Sequence, residues 1–77
     1  MIKVLKSGSN VTVIETDHYI VLVSYQTPVA YEVKGTGSCY KTSTKWSVTT
    51  SKHINKFLDG RDAEEVSQHE ADSVLGC

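Results

Sequence analysis

The sequence predicts one α+β domain over residues 1–77, in which a small antiparallel meander of four or five strands is followed by one or two short C-terminal helices. Three observations support this fold class. The chain has 77 residues, enough for one hydrophobic core. Hydrophobic residues make up 39% and charged residues 22% of it, as in ordinary globular proteins. Strand-forming residues dominate the first half, and helical spacing of apolar residues follows them.

The predicted strands begin near the N-terminus. Apolar segments at residues 2–5 and 11–14 flank turn-forming residues 7–10, which indicates a first hairpin. Residues 19–25 are β-branched or aromatic on both faces, a pattern typical of a central strand. Pro28 has no N–H for a ladder, so we expect a break or a sheet edge there, followed by a strand with one apolar and one wet face.

A last strand and two helices are predicted after the glycine turn at residues 35–37. The strand covers Tyr40 and residues 42–48, with Trp46 on its apolar face. The first helix is indicated by apolar residues at i, i+3 and i+4 from Ile54, and we expect Gly60 to cap its C-terminus.

The starts of the two helices are predicted from capping chemistry. The first helix has three competent N-caps in residues 49–51, so its register is ambiguous. Ser67 and Glu70 have the spacing of a capping box, which predicts the second helix over about residues 68–75.

Charge and cysteine content suggest where the protein works. The net charge is −1, but residues 1–58 carry +4 and residues 59–77 carry −5, so we expect the two parts to present opposite charges. No apolar run is long enough for a membrane span and no signal peptide is recognisable, which predicts a soluble protein of the cytoplasm. We expect Cys39 and Cys77 to be free thiols, with Cys77 accessible and Cys39 partly so.

Catalytic and metal-binding patterns are not recognisable in the sequence. The histidines and cysteines lack the close spacing of zinc ligands, and no nucleophile elbow is present. Gly35-x-Gly37 is followed by a strand, whereas a phosphate loop leads into a helix. We therefore expect a binding module rather than an enzyme, with no cofactor and no metal.

Two groups of residues are candidate contacts. Hydroxyls, free N–H groups and cations at the first helix start favour an anion or a partner protein, although helix capping alone also explains the hydroxyls. This first group consists of Thr49, Thr50, Ser51, Lys52, His53 and Lys56. An acidic segment is suited to a basic surface on a partner. This second group consists of Asp59, Asp62, Glu64 and Glu65.

A different class of function, binding of single-stranded nucleic acid or a nucleotide, is the alternative. Bases stack on aromatic rings while lysines contact phosphates. The residues with this chemistry are Tyr40, Lys41, Lys45, Trp46 and Lys52. The alternation of the strands places Trp46 with the apolar face, and a net charge of −1 does not favour strong binding to a duplex.

Three segments carry a resemblance to known proteins: Ser-Tyr-Gln-Thr-Pro-Val-Ala-Tyr at residues 24–31, Tyr40-x-Thr42, and Ser-Val-Thr-Thr-Ser-Lys-His-Ile-Asn at residues 47–55. Over about residues 19–60 the chain resembles a family of very short, uncharacterised proteins from bacteriophages and related mobile elements. The resemblance implies an accessory protein made in the host cytoplasm. Such proteins often bind a host protein complex as stoichiometric inhibitors or modulators, as small anti-defence and anti-CRISPR proteins do. A homodimer is compatible with so small a core.

Overall fold

Six strands and two helices form a single sheet with flanking helices in the computed structural model, which describes residues 3–8, 10–44 and 46–76. In chain order the elements are β1 (Lys3–Gly8), β2 (Val11–Glu15), β3 (Tyr19–Ser24), β4 (Thr27–Val33), β5 (Cys39–Thr42), α1 (Val48–Leu58), β6 (Glu64–Val66) and α2 (Gln68–Gly76). Parts of the predicted first strand, turn and last strand, together with one cysteine, lie outside the described residues: Ile2, Ser9, Lys45 and Cys77.

The strands lie in the sheet in the order in which they occur in the chain, from β1 to β6. Neighbours from β1 to β5 pair antiparallel, and β6 pairs parallel to β5. The predicted α+β class is confirmed, but the sheet has six strands and is mixed rather than an antiparallel meander. A parallel pair requires a crossover between its strands, and α1 lies in the segment that connects them.

The predicted last strand is too long at its C-terminal end. β5 ends at Thr42, whose hydroxyl accepts a hydrogen bond from the Thr44 N–H at 3.1 Å, a local turn that competes with an extended backbone. Trp46 therefore lies in the connection to α1, and Val48 is the first residue of the helix. Both side chains are exposed, so the prediction that Trp46 faces the core is wrong.

Pro28 is accommodated inside β4, near its beginning. The register between β3 and β4 shifts at Leu22 and Val23, where Val23 pairs with Pro28. On the other side of β4, β5 pairs only with Ala30–Glu32, so the missing N–H of Pro28 is not required by that ladder. The strand therefore continues through Pro28 with a shift in the β3–β4 register, and β4 is an interior strand, whereas a break or a sheet edge was expected there.

Both faces of the two central strands are covered, as expected for β3, whereas one solvent-exposed face was expected for β4, in which Val29, Ala30 and Tyr31 are all buried. Consecutive residues of a strand point to opposite sides, and Val21 and Leu22 are both buried. Leu22 packs in a cluster with Ile54 and Leu58 of α1, and Val21 packs in another with Val74 of α2. The two helices therefore lie on opposite faces of the sheet.

The helices cover the middle of the sheet and leave its first strands open. α1 packs chiefly on β3 and β4, and α2 chiefly on β4 and β5. All six residues of β1 are exposed. On the α2 face, Tyr31 contacts Tyr19 edge-on and stacks on Tyr40 with ring centroids 5.0 Å apart. Burial raises the pKa of the Tyr31 hydroxyl above its ordinary value.

Candidate partner-binding surface

The first helix begins at Ser47, upstream of the residues predicted to cap it. The Ser47 hydroxyl accepts a hydrogen bond from the Thr50 N–H at 3.1 Å, and the Ser47 carbonyl accepts one from the Ser51 N–H at 3.0 Å. Thr49, Thr50 and Ser51 therefore lie within the first turn of α1, and the prediction that one of them is the N-cap is wrong. The sequence also contained the correct signal, since serine is a preferred N-cap.

A buried polar network holds this helix start against the sheet. The Ser24 hydroxyl at the end of β3 lies 3.2 Å from the Thr50 hydroxyl and 3.1 Å from Nδ1 of His53. Ser24 and Thr50 are both buried, and no buried side-chain polar atom lacks a partner among the described residues. Because the Ser24 hydroxyl is enclosed, we interpret its contact with His53 as a structural hydrogen bond rather than a nucleophile and its base.

The β3–β4 turn lies beside the start of α1. The Tyr25 and His53 rings have centroids 6.4 Å apart. A shallow pocket of about 380 Å³ opens between the turn and the helix. It is lined by Ser24, Tyr25, Thr27, Trp46, Ser47, Thr49 and Thr50. The first and third segments that carry the family resemblance are thus brought together by the fold, although 15 residues, 32–46, separate them in the chain.

Three large apolar side chains at this pocket are exposed. Tyr25 is 51%, Trp46 50% and Val48 74% exposed, and Val48 lies between two residues that line the pocket. We call these three residues the aromatic surface. Exposed aromatic side chains grouped on a rigid base are typical of protein contact sites.

The indole of Trp46 is held by α2 through a residue that sequence analysis missed. Gln68 accepts hydrogen bonds at Oε1 from the Trp46 indole N–H, at 3.0 Å, and from the Thr42 hydroxyl, at 2.8 Å. Its amide donates to the Pro28 carbonyl at 2.8 Å. Gln68 therefore links α2 to β4, to β5 and to the segment before α1 that contains Trp46. Nothing local distinguishes it from a solvated glutamine, because all these partners lie far away in the chain.

The turn that carries Tyr25 has an unusual backbone. Tyr25 and Gln26 both adopt positive φ, at 51° and 70°. Positive φ at both central residues is the pattern of a type I′ hairpin turn, which favours Asn-Gly. Tyrosine and glutamine in this conformation each cost of the order of 1 kcal/mol. The chain therefore keeps a large aromatic ring at a position where a smaller residue would be more stable.

The predicted helix-start group is distributed over different surroundings. Thr50 is buried in the Ser24 network, and His53 uses Nδ1 there. Thr49 lines the pocket of the aromatic surface, and Lys56 lines a different groove. The two remaining residues, Ser51 and Lys52, are exposed. The Thr50 N–H, which has no partner within the helix backbone, is taken by the Ser47 hydroxyl, and this leaves less of the helix start for an anion than the sequence suggested.

The predicted acidic group is likewise divided among a helix end, a connection and a strand. Asp59, rather than Gly60, is the C-cap of α1, with φ of 50°. Asp62 is exposed before β6. Glu64 and Glu65 are neighbours in β6 and therefore point to opposite faces. Only Glu64 and Glu65 lie on the edge strand of the sheet, whereas Asp59 and Asp62 lie at the end of α1 and in the connection that follows it.

The residues of the nucleic-acid alternative do not form one stacking surface. The ring of Tyr40 lies against Tyr31 on the α2 face. Lys41 is the next residue of the strand and points to the opposite face. The Trp46 indole N–H donates a hydrogen bond to Gln68, and Lys52 is exposed on α1.

Three further predictions concern the Cys39 thiol, metal ligands and membrane-spanning helices. Cys39 is a free cysteine but is buried, with its Sγ 3.6 Å from the Gly37 carbonyl, so the expectation of a partly accessible thiol is wrong. Within the described residues, no three His, Cys, Asp or Glu side chains are grouped as metal ligands would be. No helix in this part of the chain is long and apolar enough to cross a membrane.

The fold and the surface together define a small α+β domain with exposed aromatic residues on a hydrogen-bonded framework. The chain belongs to a family of unknown function, DUF8033, which matches residues 3–73. No curated protein and no solved structure gives a match to the chain.

Proposed function

We propose that this protein is a bacteriophage-type accessory module that binds a protein complex of its host and acts as a stoichiometric inhibitor or modulator, with an anti-defence role. The aromatic surface is the contact site. The observation that carries the proposal is the joint exposure of Tyr25, Trp46 and Val48 above the Ser24 and Gln68 hydrogen bonds. Tyrosine and tryptophan are enriched among the residues that dominate protein–protein binding energies.

The chemistry of the pocket favours a protein over a nucleic acid as partner. All seven residues that line it are uncharged. Binding of nucleic acid depends on cationic side chains that neutralise phosphates, whereas the core of a protein interface is aromatic and depleted in charge. Lys52 lies nearby in sequence but is not among the lining residues.

The strained turn provides independent support. Positive φ at Tyr25 costs free energy that an asparagine or glycine would avoid. Strained residues are frequent at functional sites because the side chain, rather than the stability, is required there. A ring held at the tip of a turn and in contact with His53 has a fixed orientation, which reduces the entropy lost on binding.

The resemblance of residues 24–31 and 47–55 to short phage proteins supports the proposed setting in the host cytoplasm. These two segments supply most of the pocket lining. The acidic edge at β6 is a candidate secondary contact for a basic groove on the partner.

The experiment is affinity capture from bacterial lysate with quantitative mass spectrometry. Immobilised wild-type protein is compared with Val48→Asp and with the matched control Val4→Asp on the edge strand β1. Both valines are exposed, and an acid at the first turn of α1 is compatible with the helix dipole. We expect wild type and the control to capture the same complex in a fixed ratio. Loss of a contact worth about 2 kcal/mol weakens capture by Val48→Asp roughly 30-fold.

A second site variant, Tyr25→Asn, separates binding from folding. Asparagine tolerates positive φ, so the folded state is preserved while the ring is removed. Equal capture by wild type and both site variants would contradict the proposed surface. Binding of labelled single-stranded oligonucleotides that weakens steeply with salt and is lost in Lys52→Glu would instead favour the nucleic-acid alternative.

A further inference from the structure

A second groove lies where the β1–β2 hairpin extends past α1. Its volume is about 370 Å³, within the range of small-molecule sites. Its lining consists of Lys6, Val11, Val13, Leu22, His53, Lys56 and Phe57. None of the three residues of the aromatic surface contributes to it.

The floor of this groove is apolar and incompletely covered. Val11 and Val13 of β2 are partly buried and pack against the cluster that contains Leu22. Phe57 of α1 packs there from the other side and is also partly buried. Because α1 lies mainly over β3 and β4, it leaves the β2 valines accessible. An apolar ligand would remove this surface from water, which is favourable.

The ionisable side chains that line the groove are two lysines and one histidine, and none of them is acidic. Lys6 on β1 and Lys56 on α1 are exposed, and neither makes an ion pair with a residue that the structure describes. His53 uses Nδ1 for Ser24 and so retains only Nε2 for a ligand. The lining contains no carboxylate, amide or hydroxyl side chain. The groove is therefore complementary to a ligand with an apolar body and an anionic group.

The same features argue against a peptide as occupant. An extended peptide brings N–H donors that need acceptors, which the lining side chains supply poorly. An amphipathic helix in a groove uses anchors spread over several turns. The lining residues of α1 run only from His53 to Phe57, one turn and about 6 Å along the helix axis.

We propose that this groove binds a free medium-chain fatty acid. The alkyl chain lies on Val11, Val13 and Phe57, and the carboxylate is held between Lys6 and Lys56. This proposal does not depend on the function of the aromatic surface, because the two sites share no exposed aromatic residue. Lysine is suited to this position since its stem covers apolar surface while its ammonium group stays in water.

The test is a titration of the full chain with octanoate, below its micelle-forming concentration, followed by NMR chemical shifts and calorimetry. 1-Octanol serves as the uncharged ligand of matched length. We expect saturable binding at one site, with shifts concentrated at the methyl groups of Val11 and Val13. Octanol should bind roughly tenfold more weakly, because it lacks the charge that two lysines stabilise.

Variants test whether Lys6 and Lys56 cause the preference for the charged ligand. Lys6→Gln combined with Lys56→Gln should weaken octanoate binding roughly tenfold and leave octanol binding unchanged. Lys52→Gln is the matched control, since Lys52 is an exposed lysine of α1 outside the lining. These lysines are exposed, so the variants are expected to fold, and circular dichroism checks this.

Three results would overturn the proposal. They are the absence of saturable binding at millimolar octanoate, equal affinities for octanoate and octanol, and no effect of the double lysine variant. Sedimentation equilibrium tests for the remaining possible occupant, a second copy of the chain. A ligand-free dimer with Phe57 protected at its interface would show that a second copy of the chain fills the groove.

Discussion

At the scale of single residues, Ser47 is the side chain on which the start of α1 depends. Its hydroxyl accepts from the Thr50 N–H, so Ser47→Ala should lower the free energy of unfolding by about 1 kcal/mol. Ser51→Ala is the same change at an exposed position of the same turn, and we expect it to stay within about 0.5 kcal/mol of wild type. Urea denaturation measures both. An equal loss in the two variants would contradict Ser47 as the cap.

Cys39 provides a second test at this scale. Its side chain is 6% exposed in the cluster beneath α1, so the thiol should react with a small aromatic disulfide reagent only when the protein opens. Cys77→Ser removes the other thiol and leaves Cys39 as the only one to be measured. We expect slow modification of the native variant and rapid modification in denaturant. Rapid modification without denaturant would show that this part of the core is open.

At the scale of elements, the β3–β4 turn has a backbone geometry that costs free energy. Gln26 has φ of 70°. Glycine adopts this conformation without steric cost, so Gln26→Gly should raise the free energy of unfolding by about 1 kcal/mol. Gln26→Ala keeps a Cβ atom and therefore the strain, and we expect no gain from it. Thermal denaturation compares the two. A gain in both variants would mean that the side chain, rather than the backbone, is unfavourable.

At the scale of the whole molecule, the two edges of the sheet carry opposite charges. Lys3 and Lys6 lie on β1, and Glu64 and Glu65 lie on β6. Lysines on an edge strand oppose its pairing with a second copy of the same edge. Lys3→Ile should therefore increase self-association, because it extends an exposed apolar edge.

Light scattering over a range of protein concentrations measures this change. Lys52→Ile is the matched control, since it adds the same side chain to the surface of a helix that offers no free strand edge. We expect a rise in particle mass with concentration for Lys3→Ile only. The same rise in both variants would show that exposed hydrophobicity alone, rather than strand pairing, causes association.

The features that depend on neighbouring residues could be predicted from the sequence. The alternation and turn residues before Val11 predicted the first hairpin, which β1 and β2 form. The apolar residues on both sides of the 19–25 segment predicted a central strand, and β3 is buried on both faces. Capping chemistry at Ser67 predicted the start of α2, where its hydroxyl accepts from the Glu70 N–H at 3.2 Å. These outcomes follow from local backbone preference and side-chain period.

The features that depend on residues far apart in the chain arise only in the folded molecule. β6 contains two glutamates and has little strand preference of its own, so its parallel pairing with β5 is set by where α1 returns the chain. The meeting of Ser24 with Thr50 and His53, and of Trp46 with Gln68, joins residues 22 to 29 positions apart. Local propensity carries no information about such pairs, because their contact free energy arises only after the sheet has placed both partners together.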